Sequence, residues 1–309
     1  MKIWIAHPDA VEFMGPLPAG VSLAFLPTPD SPLPGDPAEV EFWVPPFLSG
    51  GNTTVLLPSM TSLRAVQLLS AGADAWATKM PDGVTLCDAR GVHDSSTSEW
   101  VVTAILSSLR RFDHFARAQA DRRWSYAEVA PTDELSGKRI LIVGAGSIGA
   151  AVARRLAPFE VSITQMARTA RPESGVHGVD ELPALLPDAD VVVVLVPLTP
   201  GTTGLVDKGF LAAMPDGALL VNAARGPVAS TDALVAELGA DRLFAALDVT
   251  DPEPLPADHP LWTMPNVLIT PHVAGSVRGV LRRGYVLAGD QLRRLVAGEP
   301  LINVVRDGY

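Results

Sequence analysis

The strongest constraint on the fold of this chain is a glycine-rich turn between an apolar strand and a helix. The turn reads Gly144-Ala145-Gly146-Ser147-Ile148-Gly149, after a predicted strand at Arg139–Val143 and at the start of a predicted helix at Ile148–Leu156. In this motif the first glycine permits the tight turn, the second lets the backbone approach a pyrophosphate, and the third lets helix and strand pack closely. The N–H groups and dipole of the helix N-terminus favour phosphate there. This context predicts a dinucleotide site rather than a glycine turn without a ligand.

The residues around the turn predict an α/β domain over residues 96–281. A capping box, Ser96-Thr97-Ser98-Glu99, predicts the start of a helix whose apolar residues continue to Phe112. We expect residues 119–136 to form a connection without regular structure. Strands are then predicted in alternation with helical segments at Val161–Met166, Val191–Val196, Ala218–Asn222, Leu243–Asp248 and Val267–Thr270. This alternation is typical of a doubly wound Rossmann domain.

The first 95 residues predict a second, smaller α/β domain. Strands are predicted at Lys2–Ala6, Val21–Leu26, Glu41–Val44, Thr54–Leu57 and Val84–Leu86, and a helix at Ser62–Ser70. The segment 282–296 is predicted to be helical, so we assign 282–309 to this domain. The nucleotide domain is then inserted into a flavodoxin-like substrate domain, and the active site is expected in the cleft between them.

Composition excludes several classes of function. Hydrophobic residues make up 48% of the 309 positions and the net charge is −10, which favours a buried core and disfavours nucleic-acid or anionic-membrane partners. The single cysteine, Cys87, excludes an internal disulfide framework and fits a reducing cytoplasm. The N-terminus lacks the apolar run of a signal peptide, and Val191–Val196 is too short to span a bilayer. We expect a cytoplasmic protein without a metal.

The residues after the strand Val161–Met166 bear on the kind of dinucleotide. NAD sites usually place an acidic residue there to bind the ribose hydroxyls. Here Ala167 stands at that point and Arg168-Thr169-Ala170-Arg171 follow, so a 2′-phosphate could be accommodated unless the arginines are solvated. The sequence predicts a preference for NADP(H), with NAD(H) possible.

Three further segments follow predicted strands: Asn222–Gly226, Asp248–Pro254 and Thr270–Ser276. Open α/β sheets bind ligands outside the carboxyl ends of their strands. An arginine, a glutamate and a histidine gathered there could bind a carboxylate, orient an imidazole and transfer a proton.

In order and spacing these segments resemble the signatures of the D-isomer-specific 2-hydroxyacid dehydrogenase family, over essentially the whole chain. The loop Pro197–Thr203 resembles that family's cofactor-covering loop. The loop Ser70–Asp74 resembles the loop whose backbone N–H groups hold the substrate carboxylate. Ala167 and Thr250 depart from the family pattern, which commonly has an acid and an aromatic residue at these positions.

The resemblance implies hydride transfer between NADP(H) or NAD(H) and a 2-keto or 2-hydroxy acid, in a homodimer. Arg225 would bind the substrate carboxylate and keto oxygen, His272 would exchange the proton, and Glu253 would hold the other imidazole nitrogen. Ala71 and Gly72 would bind substrate as well, and Asp248 would touch the nicotinamide carboxamide. The cofactor-binding residues implied are Thr97, Gly144, Gly146, Ser147, Ile148, Gly149, Arg168, Thr169, Arg171, Val196, Pro197, Thr202, Ala223, Asp248 and Ser276.

Three alternatives stay open on the same resemblance. A nucleotide-sensing protein like the C-terminal-binding-protein corepressors shares these motifs, although the chain lacks a long tail or a basic arm. A formate dehydrogenase pairs its histidine with glutamine, which Glu253 disfavours. A phosphoglycerate dehydrogenase would use the same chemistry, but its larger members carry a regulatory domain for which a chain ending at Tyr309 leaves no room.

Overall fold

The structure, a computed structural model, describes residues 1–50 and 52–306. It divides into two compact units, one formed by Met1–His93 with the segment from Val277 onward, the other by Asp94–Ser276. The last three residues of the predicted tail 282–309 lie outside the described residues.

Regular structure covers both units. The strands are β1 (Lys2–Ile5), β2 (Ser22–Phe25), β3 (Val40–Val44), β4 (Ala65–Gln67), β5 (Thr85–Cys87), β6 (Arg139–Val143), β7 (Ser162–Ala167), β8 (Val176–Gly178), β9 (Val191–Val194), β10 (Leu219–Asn222), β11 (Phe244–Leu247) and β12 (Val267–Ile269). The α-helices are α1 (Asp74–Ala77), α2 (Asp94–Leu109), α3 (Phe112–Ala120), α4 (Tyr126–Val129), α5 (Ser147–Leu156), α6 (Leu182–Leu185), α7 (Lys208–Ala213), α8 (Thr231–Gly239) and α9 (Val280–Ala297). Within the described part of the chain, no helix is long and apolar enough to span a membrane.

The unit that contains the N-terminus is a parallel five-stranded sheet in the order β2-β1-β3-β4-β5. This is the flavodoxin-like order, and it confirms the predicted fold class. Neighbouring residues of β3 point to opposite faces, so Phe42 packs with Tyr285 of α9 on one side while Trp43 packs with Trp76 on the other. Helix α9 confirms the helix predicted over 282–296.

The central unit is a parallel seven-stranded sheet in the order β12-β11-β10-β9-β6-β7-β8. Starting from β6, this is the Rossmann order with one added strand, and the order reverses between β6 and β9. Helices α2 and α5 cover one face and α7 and α8 the other. Strand β9 is four fully buried valines, Val191–Val194, because a central parallel strand is covered on both sides.

Two predictions for the first unit are wrong. The predicted helix Ser62–Ser70 contains strand β4, whose three residues are all buried between β3 and β5. A strand buried on both faces has no alternation, so its apolar run cannot be told from a buried helix by periodicity. The predicted strand Thr54–Leu57 is part of a 3-10 helix, Thr54–Ser59, in which the buried residues Thr54 and Leu57 are three apart.

The capping box predicted at Ser96 is also wrong. Helix α2 begins at Asp94, and Ser96, Thr97 and Ser98 are buried within it. Ser96 therefore lies inside the helix and is not its N-cap, and the Ser98 hydroxyl donates backward to the carbonyl oxygens of Asp94 and Ser95. Strand β8 was not predicted, and α3 and α4 occupy part of the segment expected to be a connection.

Candidate active site

The glycine turn joins β6 to α5 at the point where the strand order reverses. Gly144 has φ 124°, and a Cβ there would lie 2.8 Å from the Leu195 carbonyl carbon. A Cβ on Gly149 would lie 2.1 Å from the Gly144 oxygen, so both positions require glycine. A Cβ on Gly146 would meet no heavy atom of the described residues within 4 Å, so the turn is open on that side.

Helix α5 presents an N-terminus suited to a phosphate. Gly146 is its N-cap, no side chain caps it, and no acidic residue lies in its first turn. The N–H groups of Ser147, Ile148 and Gly149 precede the first intrahelical bond, which Ala150 N donates to Gly146 O at 2.9 Å. The open face of Gly146 and these donors fit the pyrophosphate of a dinucleotide.

The two arginines after β7 differ in their contacts. Arg171 Nη2 donates to Ala145 O at 2.7 Å, so Arg171 braces the glycine turn. Arg168 directly follows the last residue of β7, Ala167, and its side chain is exposed, as is that of Thr169. Arg171 is exposed as well, so the two arginines differ in the contact with the glycine turn and not in exposure.

An acidic residue that sequence reasoning missed lies beyond the adjacent strand, β8. Glu181 accepts from the Gly178 N–H at 2.9 Å and pairs with His177 Nδ1 at 2.7 Å. These two hydrogen bonds, that of His177 first, lower the pKa of Glu181. The sequence did not predict this arrangement, because β8 has only three residues and too few apolar side chains to be recognised as a strand.

The Thr202 hydroxyl makes hydrogen bonds inside the loop after β9. Thr202 Oγ1 accepts from the Thr199 N–H at 2.9 Å and donates to Pro197 O at 2.5 Å. The hydroxyl therefore acts both as donor and as acceptor inside the loop, and Thr202 stabilises the segment that contains Pro197. Val196 and Ala223 lie at the ends of the neighbouring strands β9 and β10, where Ala223 N donates to Val194 O at 3.3 Å.

Arg225 is carried by a turn that Asn222 organises. Asn222 is buried, its Oδ1 accepts from Ala224 N at 3.0 Å and its Nδ2 donates to Arg225 O at 3.3 Å. Arg225 Nη1 donates to Ala224 O at 2.8 Å. A Cβ on Gly226 would lie 1.9 Å from Thr250 O, so the turns after β10 and β11 touch. The sequence marked Asn222 as part of a motif but not as the residue that holds this turn.

Asp248, at the end of β11, clamps the loop that carries His272. Its carboxylate accepts from Thr270 Oγ1 at 2.6 Å, Val273 N at 2.8 Å and Ala274 N at 2.9 Å. Its backbone oxygen accepts from His272 N at 2.7 Å. These bonds hold His272 at φ 53°, in the left-handed region. Most of the acceptor capacity of Asp248 is thus directed at this loop, a role that the sequence did not reveal.

His272 and Glu253 form the central pair of the site. His272 Nδ1 donates to Glu253 Oε1 at 2.7 Å, which leaves Nε2 for proton exchange. The side chains keep 29% and 43% of their exposure, so a substrate can approach them. The structure therefore places Arg225, Glu253 and His272 after three adjacent strands, β10, β11 and β12.

The remaining predicted site residues belong to other segments of the chain. Ala71 and Gly72 belong to the loop after β4 in the other unit. Thr97 is buried in the first turn of α2, and Ser276, the last residue of the central unit, donates its N–H to Val273 O at 2.9 Å.

The sequence and the structure of this chain are similar to those of known dehydrogenases and reductases. The family described as "D-isomer specific 2-hydroxyacid dehydrogenase, NAD binding domain" matches residues 102–274. Glyoxylate/hydroxypyruvate reductase A of Yersinia enterocolitica is 33% identical over 269 residues, 82% of this chain and 84% of that protein. A D-isomer-specific 2-hydroxyacid dehydrogenase of Xanthobacter autotrophicus, solved with NADPH, is similar with TM-score 0.84 and 32% identity over 100% of this chain and 99% of its own. An NADPH-dependent glyoxylate/hydroxypyruvate reductase of Sinorhizobium meliloti, solved with NADP and sulfate, has TM-score 0.84 and 27% identity over the same shares.

Proposed function

Because this chain belongs to the D-isomer-specific 2-hydroxyacid dehydrogenase family, we propose that it interconverts a 2-keto acid and a 2-hydroxy acid with NADP(H), or with NAD(H). The observation that carries this proposal is the 2.7 Å pair of His272 and Glu253, on the strand next to the one that ends in the Arg225 turn. An imidazole held by a carboxylate can exchange a proton with a substrate, which the reaction requires.

Each of these side chains has a defined task in reduction. The bound dinucleotide supplies the hydride that reaches the keto carbon. His272 donates a proton from Nε2 to the keto oxygen, which becomes the hydroxyl. Glu253 accepts the Nδ1–H, which fixes the orientation of the ring and leaves Nε2 as the atom that exchanges the proton. Acid–base help of this kind contributes roughly 10²–10⁴-fold to a rate.

Arg225 binds the substrate carboxylate. A guanidinium offers two parallel donors to a planar carboxylate, which a lysine cannot match. We propose that the backbone N–H groups of Ala71 and Gly72 bind it too. Two of the named relatives are glyoxylate/hydroxypyruvate reductases, so small 2-keto acids are the first substrates to try.

NADPH is the proposed physiological cofactor. Ala167 supplies no carboxylate to bind ribose hydroxyls or to repel a 2′-phosphate, and Arg168 follows it at the exposed end of β7. The structures solved with NADPH and with NADP support the same preference.

We also propose a cytoplasmic homodimer. The one cysteine, Cys87, is buried and free, as suits a reducing compartment. Three aromatic side chains between residues 112 and 126 are largely exposed, Trp124 at 96%, Tyr126 at 71% and Phe112 at 61%. Large exposed aromatic side chains favour contact with a partner surface.

A panel of cofactors and substrates tests the enzymatic function. Purified protein is assayed with NADPH and NADH against glyoxylate, hydroxypyruvate, pyruvate and larger 2-keto acids, beside His272→Ala. We expect oxidation of NADPH with at least one substrate, and a loss of turnover in the variant. Binding of NADPH without oxidation across the panel would favour the nucleotide-sensing alternative.

A further inference from the structure

We infer that His93 is a positioning residue that holds the loop after β4 in the conformation needed to bind a substrate carboxylate. The inference rests on the proposed function, because that function assigns the carboxylate to Ala71 and Gly72. It adds a residue that lies outside the loop and outside every motif quoted above.

The loop is fixed through its carbonyl groups. Leu69 O accepts from His93 Nε2 at 2.7 Å, and Ser70 O accepts from Ala89 N at 2.9 Å. Gly72 O accepts from Ser70 Oγ at 2.7 Å. Three carbonyl oxygens within four residues are therefore bound to the protein itself.

A hydrogen bond to a backbone carbonyl also fixes the direction of the N–H in the same peptide group. In a planar trans peptide the C=O and the following N–H point in opposite directions. The bond to Leu69 O therefore aims the Ser70 N–H away from His93, and the bond to Ser70 O aims the Ala71 N–H away from Ala89. The Ala71 N–H, one of the two proposed carboxylate donors, is thus oriented directly by the bond to Ser70 O, and the peptide before it is held by His93.

His93 is itself held rigidly. Its side chain is buried, and its ring stacks on Phe47 with centroids 5.7 Å apart and planes 10° apart. Val92 N donates to Ala89 O at 3.0 Å, and Arg283 Nε donates to Val92 O at 2.8 Å. The segment before His93 is thus tied both to itself and to α9, so the imidazole acts as a fixed strut.

The contact also defines the chemistry that is needed. A carbonyl oxygen only accepts, so His93 must carry its proton on Nε2. Leu69 is buried, and loss of the donor would remove the hydrogen bond that the described residues give to its carbonyl oxygen. A residue that merely fills space beside Phe47 would not need this donor.

Two substitutions distinguish a hydrogen-bonding role of His93 from a role in packing against Phe47. His93→Phe keeps a ring that can stack on Phe47 but has no donor. His93→Gln carries an N–H at the reach of Nε2 and should restore the bond. Thermal unfolding and circular dichroism establish that each variant folds.

Kinetics give the first measurement, with the 2-keto acid of highest kcat/KM in the panel. In His93→Phe we expect KM for the 2-keto acid to rise roughly three- to tenfold, the factor that corresponds to one net hydrogen bond, while KM for NADPH stays near the parent value. His93→Gln should return KM toward the parent. An unchanged KM in a folded His93→Phe, or an equal rise for both substrates, would overturn the inference.

Hydrogen exchange gives a second measurement that does not depend on turnover. Peptides covering residues 68–76 are followed by mass spectrometry in the three proteins, with and without oxalate as an unreactive carboxylate. The inference predicts faster exchange of these peptides in His93→Phe and a return to the parent rate in His93→Gln. It also predicts that oxalate slows exchange in the parent and in His93→Gln but not in His93→Phe. Equal exchange in the three proteins would refute it. If the parent reduces no 2-keto acid, the proposed function fails, and these exchange results still decide whether His93 orders a carboxylate-binding loop.

Discussion

Replacing Asp248 with asparagine should lower turnover while leaving KM for the cofactor near that of the parent. The substitution keeps the shape of the side chain, and its remaining oxygen can still accept from Thr270 Oγ1 and Val273 N. The other oxygen becomes an NH₂ group that faces the Ala274 N–H, a donor against a donor.

The cost to stability follows from the burial of this pair. Asp248 is 2% exposed and Ala274 4%, so water cannot replace the lost acceptor. Leaving a buried donor unsatisfied costs about 1–3 kcal/mol. At about 2–4 °C for each kcal/mol in a unit of this size, the thermal midpoint should fall by roughly 2–12 °C.

A loss of turnover is expected in addition to the loss of stability. His272 is held at φ 53°, a conformation that costs an L-residue roughly 1–2 kcal/mol. When the clamp weakens, the backbone can relax and the imidazole moves with it. A displacement of about 1 Å in a reacting group can cost on the order of 10²-fold in rate.

The assay measures kcat, both KM values and the thermal midpoint for the parent, Asp248→Asn and Asp258→Asn. Asp258 is an exposed carboxylate, so the same chemical change there should leave all four quantities at the parent values. A rise in KM for NADPH with unchanged kcat would show that Asp248 acts mainly on the cofactor, and the clamp argument would be wrong.

The remaining predictions concern the proton donor, its partner, the carboxylate ligand and the cofactor. His272→Ala should reduce kcat by roughly 10²–10⁴-fold with cofactor binding retained, and near-parent turnover would contradict its assignment as proton donor. Glu253→Gln keeps an acceptor for the Nδ1–H but removes the negative charge beside the ring, so kcat should fall while KM for NADPH stays near the parent value; an unchanged kcat would contradict this role. Arg225→Ala should raise KM for the 2-keto acid as well as lower kcat, because it removes charge-assisted bonds of about 1.5–3 kcal/mol each, and a KM at the parent value would exclude it as the carboxylate ligand. Arg168→Ala should lower the NADPH-over-NADH ratio of kcat/KM by about ten- to a hundredfold, whereas Arg171→Ala, which removes the brace on the glycine turn, should weaken both cofactors alike. If the ratio survives Arg168→Ala, the 2′-phosphate is bound elsewhere.

Local patterns were sufficient to predict much of the fold and of the candidate site. The glycine turn was readable because its requirements are set within one strand, one turn and one helix: Gly144 by its positive φ and Gly149 by its contact with Gly144 O. The order of strands and helices predicted the parallel sheets, and Arg225, Glu253 and His272 were found because each follows a predicted strand.

Other features depended on neighbours that are distant in the chain. Strand β4 was mistaken for a helix because only its pairing with β3 and β5 makes an extended backbone the better state for Ala65–Gln67. Propensity over so few residues is weak against the hydrogen bonds and burial that a central strand gains.

The sequence by itself determined the two α/β folds, the glycine turn and which side chains follow the strands. Only the tertiary structure decided how those side chains are held. The Asp248 clamp joins residues more than twenty positions apart, and His93 and Leu69 are also more than twenty positions apart. The physical reason is that hydrogen bonds between side chains and loops depend on distance and angle in space. No periodicity in a sequence records such contacts.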